Sequence, residues 1–305
     1  MIRRFLAWLR GLFARVVGRV RGRVERPGYF AKGKASAIGG QVAVAPFLHP
    51  SREYLVYVPK NYGGREPRTL VVFLHGCKQT PEEFAAGTRI AALADAKGWL
   101  VLLPRQTDRA NRYGCWNWFD PPTSAGRGEV AIVLAQVDQV RSAYPVDEER
   151  IVVAGFSSGG ALAAAIGVRH PHLFAGVFVH SGIACEAARL PTSALAVMER
   201  GAVTDPEKIG AAARATAGEV RLPLLVVHGA KDDVVAWVNG EQVARQFRAL
   251  NGGEGDLAAF VKVPALAHAW GGGDAAYPYN DPRGPDATAM LGEFVERCVT
   301  SAAVT

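Results

Sequence analysis

The sequence predicts an α/β fold in which helices cover both faces of a mostly parallel, doubly wound sheet. Two observations predict it. Short apolar segments rich in β-branched residues alternate with segments of helical spacing along most of the chain. The 305 residues also contain no internal repeat and no second apolar core, which favours one large domain.

The individual elements follow from the spacing of apolar residues and from the turn residues that end each segment. Strands are predicted at 54–58, 69–74, 99–103, 151–154, 175–180, 222–227 and 259–263. Helices are predicted at 81–97, 128–144, 157–169 and 286–299. Two further stretches lack strand signals: 105–126 is predicted to be a long aromatic loop, and the Ala-rich stretch 184–220 a helical insertion.

Composition excludes several classes of protein. Apolar residues make up 49% of the chain and charged residues 21%, which excludes intrinsic disorder. No segment reaches the roughly 18 apolar residues of a membrane span, and four cysteines are too few for a disulfide scaffold. The formal charge of +7 arises in residues 1–24, where seven arginines and no acidic residue occur. The remaining 28 basic and 28 acidic side chains leave a neutral body, so no nucleic-acid partner is predicted.

The N-terminal segment is predicted to be separate from the main domain. Residues 1–26 read as a basic amphipathic helix, 27–50 as a connector and 51–300 as the main domain. An arginine-rich amphipathic helix is typical of surface docking, so residues 2–24 are predicted to bind a membrane or a polymer granule. The alternatives are packing on its own domain or a partner, or a misassigned start codon. A secretory signal fits poorly because arginines interrupt the apolar stretch.

The motif Gly155-Phe-Ser-Ser-Gly159 lies between a predicted strand and a predicted helix. That setting is typical of a nucleophile elbow, a tight turn that only small flanking residues permit. The turn lifts the Ser157 hydroxyl above the sheet edge, at the positive end of the following helix. We therefore predict that Ser157 is a nucleophile rather than part of an ordinary Gly/Ser turn.

A serine nucleophile needs a base and an orienting carboxylate, which follow it along the chain in this arrangement. Asp232 comes directly after the strand 222–227, and His268 follows the strand 259–263 in a glycine-rich loop. Asp233 is the weaker candidate carboxylate. His228 is the rival base, although its place at the end of a strand favours packing or hydrogen bonding there. The other histidines lack such a setting and are predicted to be structural or surface residues: His49, His75, His170, His172 and His180.

A developing oxyanion needs two backbone N–H donors. One is predicted to come from Ser158, directly after the nucleophile. The other is predicted to come from Cys77, because Gly76 before it allows a close backbone approach.

Seven motifs recur in an order that resembles the polyhydroxybutyrate (PHB) depolymerase family of esterases, which also contains feruloyl and acetyl-xylan esterases. They are Leu74-His-Gly-Cys-Lys-Gln79, Cys115-Trp-Asn-Trp-Phe119, Arg127-Gly-Glu129, Gly155-Phe-Ser-Ser-Gly-Gly160, His228 through Asp232 to Val235, His268-Ala-Trp-Gly-Gly272 and Gly284-Pro-Asp-Ala287. The resemblance covers about residues 50–298. It implies an α/β-hydrolase fold with Ser157, Asp232 and His268 as the catalytic triad.

The resemblance also implies that Cys77 pairs with Cys115, although spacing alone does not establish a bridge. It places Trp116 and Trp118 close to the active-site groove, and Trp270 is predicted with them to contact substrate; the alternative is that these tryptophans belong to the core. Cys185 and Cys298 are predicted to be small buried side chains. No zinc-ligand spacing occurs, so no metal and no cofactor are predicted.

The predicted activity is hydrolysis of carboxylic esters through an acyl-enzyme, on a short-chain poly(3-hydroxyalkanoate) or its oligomers. The alternatives are an aryl or acetyl ester on plant polysaccharide, and a non-catalytic domain that binds a surface. The implied disulfide favours an extracellular or periplasmic location, whereas the N-terminal segment leaves a granule-associated cytoplasmic location as the alternative. Oligomeric state is not predicted.

Overall fold

The computed structural model describes residues 26–37, 51–253 and 255–302. Residues 1–25 of the predicted amphipathic helix and residues 38–50 of the predicted connector lie outside these ranges. Ten strands are described, in chain order: β1 (Tyr29–Ser36), β2 (Ser51–Val58), β3 (Arg68–Leu74), β4 (Leu100–Pro104), β5 (Val146–Phe156), β6 (Gly176–His180), β7 (Leu224–Gly229), β8 (Ala258–Val263), β9 (Trp270–Gly271) and β10 (Asn280–Asp281).

Nine α-helices are described in the same part of the chain: α1 (Pro81–Thr88), α2 (Ile90–Lys97), α3 (Pro121–Ser124), α4 (Gly128–Ala143), α5 (Ser158–Arg169), α6 (Pro191–Arg200), α7 (Pro206–Ala217), α8 (Val238–Leu250) and α9 (Ala287–Ala302). A 3₁₀ turn over Gly255–Leu257 precedes β8. No helix in the described ranges is both long and apolar enough to cross a membrane.

The main sheet has eight strands in the order β1-β2-β4-β3-β5-β6-β7-β8. β1 and β2 are antiparallel to their neighbours, and the six strands from β4 to β8 pair in parallel. The order reverses around β3, so the chain winds outward in both directions. The predicted doubly wound, mostly parallel sheet is confirmed.

The two faces of the sheet carry separate cores because successive side chains of a strand point to opposite faces. In β3, Leu70, Val72 and Leu74 pack with α4, α5 and α8, whereas Val71 and Phe73 pack with α1, α2 and α9. Strands that are buried on both faces appear in the sequence as continuous apolar segments, which is why these strands could be predicted.

Several elements differ from the sequence prediction: α3 lies within the predicted aromatic loop, and α8, β9 and β10 were not predicted. Two further differences have a clear physical reason. The region predicted as a connector contains β1, whose eight residues pair with β2 from Tyr29↔Val58 to Ser36↔Ser51. Its side chains are mostly exposed, so it lacks the apolar signal of a strand. The predicted helix 81–97 is two helices, because Arg89 adopts a left-handed backbone conformation (φ 57°) between them and donates a side-chain hydrogen bond to Gly272 O.

The insertion predicted over 184–220 is helical, as expected, and forms α6 and α7. α6 packs beside the carboxyl ends of the parallel strands, where it contacts α8 and the segment that follows β7. Ligands bind at this edge in open α/β sheets, and the order reversal at β3 opens a crevice there.

Candidate active site

The nucleophile elbow joins β5 to α5 with Ser157 in a strained conformation (φ 55°, ψ −121°). The Ser157 N–H donates to His180 O at 2.9 Å, which fixes the turn to the end of β6. A Cβ added at Gly155 would lie 2.2 Å from Gly159 O, and one at Gly159 would lie 2.2 Å from Leu74 O. The two glycines are therefore required by backbone contact, as the sequence predicted.

Three side chains meet at the carboxyl edge of the sheet. Ser157 Oγ lies 2.9 Å from His268 Nε2, and His268 Nδ1 lies 2.8 Å from Asp232 Oδ2. Ser157 comes from the end of β5, Asp232 follows β7, and His268 follows β8. Since an ionised Asp232 only accepts, Nδ1–H donates to it and Nε2 is left to accept the Ser157 proton. The structure thus brings together the three residues predicted to form a triad.

Asp232 is surrounded by hydrogen-bond donors. Its Oδ1 accepts from the N–H groups of Val234 (3.1 Å) and Val235 (2.8 Å), and its Oδ2 accepts from His268. His228 Nε2 is also 3.3 Å from Oδ2. Burial alone would raise the pKa of Asp232, but the hydrogen bonds from both histidines hold it well below its usual range. The carboxyl group is therefore ionised at neutral pH.

His228 is fully buried and belongs to the surroundings of Asp232 rather than to those of Ser157. Its Nε2 lies 2.8 Å from Val235 O, so this nitrogen carries a proton and donates. Its Nδ1 is buried without a hydrogen-bond partner among the described residues, and Gly240 packs directly against that side of the ring. The sequence placed His228 as a rival base or a packed hydrogen-bonding residue, and its position matches the second.

The loop after β3 is fixed on both sides of Cys77. The Gly76 N–H donates to Gln79 Oε1 at 2.9 Å, and the Lys78 N–H donates to Tyr113 O at 2.8 Å. Cys77 forms a disulfide bond with Cys115, which confirms the predicted pairing and ties this loop to the aromatic loop. Within the described ranges, no protein acceptor takes the Cys77 N–H, so it remains available to a ligand.

His75 supports the same loop from inside the protein. Its Nδ1–H donates to Gly76 O at 2.8 Å, and its Nε2 accepts from the Gln106 N–H at 3.2 Å. Burial lowers the pKa of His75 to about 4, so the ring is neutral. Its predicted structural role agrees with this geometry.

Ser158 begins α5, where backbone N–H groups have no partner within the helix. Its hydroxyl accepts from the Trp116 N–H at 3.3 Å and lies 3.4 Å from Cys77 Sγ. The elbow, the disulfide and the aromatic loop therefore meet at Ser158. Both N–H groups predicted to bind the oxyanion lie at this junction.

The structure corrects two of the three predicted substrate contacts. Trp116 is 1% exposed and donates from Nε1 to His75 O at 3.0 Å. Trp270 is also 1% exposed, donates to Thr288 Oγ1 and stacks on His180. Both indoles are structural core because their single donor is satisfied inside the protein. Trp118 does line the cavity at Ser157.

A cavity of about 550 Å³ opens beside Ser157. One wall is the aromatic loop, which contributes Trp118 and Phe119 together with polar side chains. The lining residues from α6, the loop before it and the segment after β7 are apolar: Ile183, Pro191, Ala194, Leu195, Met198 and Val235. The sequence did not identify the α6 residues as site residues, because an amphipathic helix gives the same pattern whether it faces core or ligand.

Glu129 holds the aromatic loop in place. Its carboxylate accepts from the Asn117 N–H at 2.6 Å and from Asn117 Nδ2 at 2.9 Å, and it also accepts from Gln106 Nε2. Burial raises the pKa of Glu129, against the lowering effect of these bonds. The motif that contains Glu129 was recognised in the sequence, but the contacts that explain it are to Asn117 and Gln106, which lie outside the motif.

Cys185 and Cys298 are free and buried, as predicted. His170 and His172 bond backbone carbonyl groups away from the triad, and His49 lies outside the described residues. In the described part of the chain, no three His, Cys, Asp or Glu side chains are grouped to hold a metal ion.

The chain matches the model of one protein family, described as "Esterase PHB depolymerase", over residues 52–259. It is 30% identical to poly(3-hydroxyalkanoate) depolymerase C of Paucimonas lemoignei over 200 residues, which cover 64% of this chain and 48% of that protein. It is 30% identical to feruloyl esterase B of Neurospora crassa over 161 residues, which cover 50% of this chain and 53% of that protein. The chain thus spans about half the length of these curated relatives.

Among solved structures, an acetyl xylan esterase from Aspergillus awamori superimposes with a TM-score of 0.65 at 20% identity, covering 78% of this chain and 94% of that one. At this level of identity the likeness concerns the fold, which is that of the α/β-hydrolases.

Proposed function

Because the chain belongs to the PHB depolymerase family of esterases, we propose that it is a serine esterase that cleaves short-chain poly(3-hydroxyalkanoate) or its oligomers. The observation that carries the proposal is the continuous hydrogen-bonded series from Ser157 through His268 to Asp232, at 2.9 and 2.8 Å. Ser157 also faces an open cavity with an apolar wall, as a nucleophile that attacks a polyester requires.

The proposed reaction has two steps. His268 Nε2 takes the Ser157 proton as Oγ attacks the ester carbonyl, while Asp232 holds the imidazole in the required tautomer. The Cys77 and Ser158 N–H groups bind the oxyanion of the tetrahedral intermediate. His268 then protonates the leaving alkoxide, and in the second step it activates the water that releases the acid from Ser157. No metal ion or organic cofactor takes part in these steps.

The strained elbow supports the role of Ser157. A non-glycine residue at φ 55° costs about 1–3 kcal/mol and persists only where the surrounding structure imposes it. Here Gly155, Gly159 and the bond to His180 O impose it. A Gly/Ser turn without a chemical role has no need for this conformation, which aims the hydroxyl at His268.

The alternative substrate is a feruloyl or acetyl ester on a polysaccharide. One observation favours it: Trp118 and Phe119 both line the cavity, with their rings edge to face and centroids 5.6 Å apart, and aromatic side chains also suit a sugar or aryl ring. A non-catalytic, surface-binding domain is the remaining alternative, and the assembled triad argues against it.

Surface attachment through residues 2–24 remains a sequence-based proposal, since these residues lie outside the described ranges. It is tested by comparing the full chain with a chain that lacks residues 1–26. The proposal expects weaker sedimentation of the shorter chain with native PHB granules and with anionic liposomes. Equal binding of the two chains contradicts it.

The activity is tested by measuring kcat/KM of the purified full chain on four substrates: amorphous PHB, hydroxybutyrate trimer, methyl ferulate and acetylated xylan. The proposal expects the trimer and PHB to be cleaved best, and no cleavage by Ser157→Ala. Faster cleavage of methyl ferulate or acetylated xylan contradicts the polyester assignment. No cleavage of any ester contradicts the esterase assignment.

A further inference from the structure

The cavity at Ser157 has two chemically different walls. The wall formed by α6 and its neighbours is apolar, and the wall formed by the aromatic loop carries the amides Asn111 and Asn117 and the guanidinium of Arg112. Arg112 is the one charged side chain among the lining residues in the described part of the chain. An ester that fills this cavity therefore meets mostly apolar side chains and a single positive charge.

The amides on the loop wall are occupied by the loop itself. Asn111 Nδ2 donates to Asn117 Oδ1 at 2.9 Å, and Asn111 Oδ1 accepts from the Tyr113 N–H at 3.0 Å. Asn117 Nδ2 donates to Glu129. These side chains hold the shape of the wall and have little capacity left for a ligand.

Arg112 is different because none of the described residues accepts a hydrogen bond from its guanidinium. The side chain is exposed, and within the described ranges it has no carboxylate partner at salt-bridge distance; its guanidinium carbon lies 5.9 Å from the centroid of the neighbouring Tyr113 ring. Several exposed arginines elsewhere are paired with acidic residues, such as Arg245 with Glu207 and Arg283 with Asp281. Arg112 thus offers a free fork of donors at the cavity.

The backbone on both sides of Arg112 is held in place. The Asn111 N–H donates to Thr107 O at 3.0 Å, and Tyr113 O accepts from the Lys78 N–H at 2.8 Å. Two residues further on, Cys115 is bonded to Cys77. The guanidinium is therefore presented from a fixed point of the loop, and only its own side-chain freedom is lost on binding.

We propose that Arg112 binds the free carboxylate of the substrate, so that the enzyme prefers linear hydroxyacid oligomers with an ionised acid end over neutral esters. This inference rests on the proposed function. When the last ester bond of such an oligomer is cleaved, Ser157 keeps the acyl part and the leaving alcohol is the hydroxyl group of a hydroxyacid that carries the carboxylate. A guanidinium binds that group through two parallel N–H···O bonds, and a neutral ester end offers it no charge.

The test compares the linear 3-hydroxybutyrate dimer as free acid with the methyl ester of the same dimer. For Arg112→Gln we expect kcat/KM on the acid dimer to fall about fivefold to tenfold through KM, which corresponds to the loss of one partly exposed charge-assisted interaction. The methyl ester should change less than twofold. Arg109→Gln is the matched control, since Arg109 is exposed on the same loop and does not line the cavity.

Added salt provides a second readout, because screening weakens an exposed charge pair. KM for the acid dimer should rise with NaCl in the wild type and lose this dependence in Arg112→Gln. Equal kcat/KM of the wild type on the two dimers, or an acid preference that survives in Arg112→Gln, overturns the inference. If p-nitrophenyl butyrate is turned over in those cases, the proposed esterase activity still stands.

A binding measurement that does not depend on turnover distinguishes failure of the proposed esterase activity from failure of the proposed carboxylate site. Ligand-observed NMR titration with the 3-hydroxybutyrate anion should give at least about fivefold weaker binding to Arg112→Gln than to Arg109→Gln. If no ester is hydrolysed but this difference is found, the proposed function fails and the carboxylate site stands. Equal binding to the two variants overturns the carboxylate site.

Discussion

His228 offers a quantitative test of how Asp232 is held. Its Nε2–H donates to Val235 O at 2.8 Å, Nε2 also lies 3.3 Å from Asp232 Oδ2, and the ring is fully buried. A hydrogen bond to a charged group contributes about 1.5–3 kcal/mol, and the long 3.3 Å contact places this one at the lower end. We therefore expect His228→Leu, which keeps the volume but removes the donor, to lower kcat about tenfold, since about 1.4 kcal/mol corresponds to a factor of ten.

The matched variant is His228→Gln, which keeps an N–H₂ group able to reach the same two acceptors. It should recover most of the lost kcat, because the proposed role needs a donor and not an imidazole. The assay is steady-state hydrolysis of p-nitrophenyl butyrate, normalised to the fraction of chains labelled by a fluorophosphonate. Thermal unfolding of both variants controls for loss of folded protein. A folded His228→Leu with kcat within twofold of the wild type refutes the reasoning.

Three further predictions follow from buried groups. Gly155→Ala should lower the free energy of unfolding by about 3 kcal/mol or more, because the added Cβ would lie 2.2 Å from a backbone atom. In the control Gly63→Ala, the added Cβ would have no described heavy atom within 4 Å, so the free energy of unfolding should hardly change. Urea unfolding measures both. Glu129→Gln should destabilise by about 1–3 kcal/mol, since its amide N–H₂ would face groups that are themselves donors; the midpoint of thermal unfolding checks this. Burial lowers the pKa of His75 to about 4 and of His180 to about 3, so both are neutral when folded and take up protons on unfolding. Their contribution to the free energy of unfolding is therefore present above pH 6.5 and is lost as the pH falls from 6.5 towards 4. At about 1.4 kcal/mol per pKa unit, the loss for His75 is about 3 kcal/mol. Urea unfolding at pH 7 and pH 4.5 measures it.

The elements that were predicted well are those whose burial leaves a direct trace in the sequence. β3, β4 and β7 are buried on both faces and read as unbroken apolar segments. The elbow was recognisable because a tight strand-to-helix turn admits only small residues at Gly155 and Gly159. Ser157, Asp232 and His268 were each predicted to follow a different strand. In the structure the three side chains meet.

The parts that were missed depend on contacts that local sequence does not encode. β1 is a strand through its backbone pairing with β2, although most of its side chains are exposed. Arg89 interrupts a continuous helical pattern by adopting a left-handed backbone conformation, and its side chain donates to Gly272 O, 183 positions away. Trp116, Trp118 and Trp270 look alike in the sequence. The indole N–H bonds of Trp116 and Trp270 inside the protein, which mark these two as core residues, are seen only in the structure.

The site depends on supporting contacts as well as on the three residues at its centre. Glu129 holds the aromatic loop, the Cys77–Cys115 bond joins that loop to the one after β3, and His228 holds Asp232. Each support orders a group that must be in position before the ester binds, which is the condition for electrostatic stabilisation of an oxyanion.

The most direct test of the central claim is covalent labelling by a fluorophosphonate, read by mass spectrometry of the intact chain and of its peptides. We expect one label per chain, on Ser157, with labelling lost in Ser157→Ala and still directed to Ser157 in Ser158→Ala, which keeps the backbone N–H. A wild-type chain that remains unlabelled, or a Ser157→Ala variant that is labelled at another residue and still cleaves p-nitrophenyl butyrate, contradicts the assignment of Ser157 as the activated nucleophile.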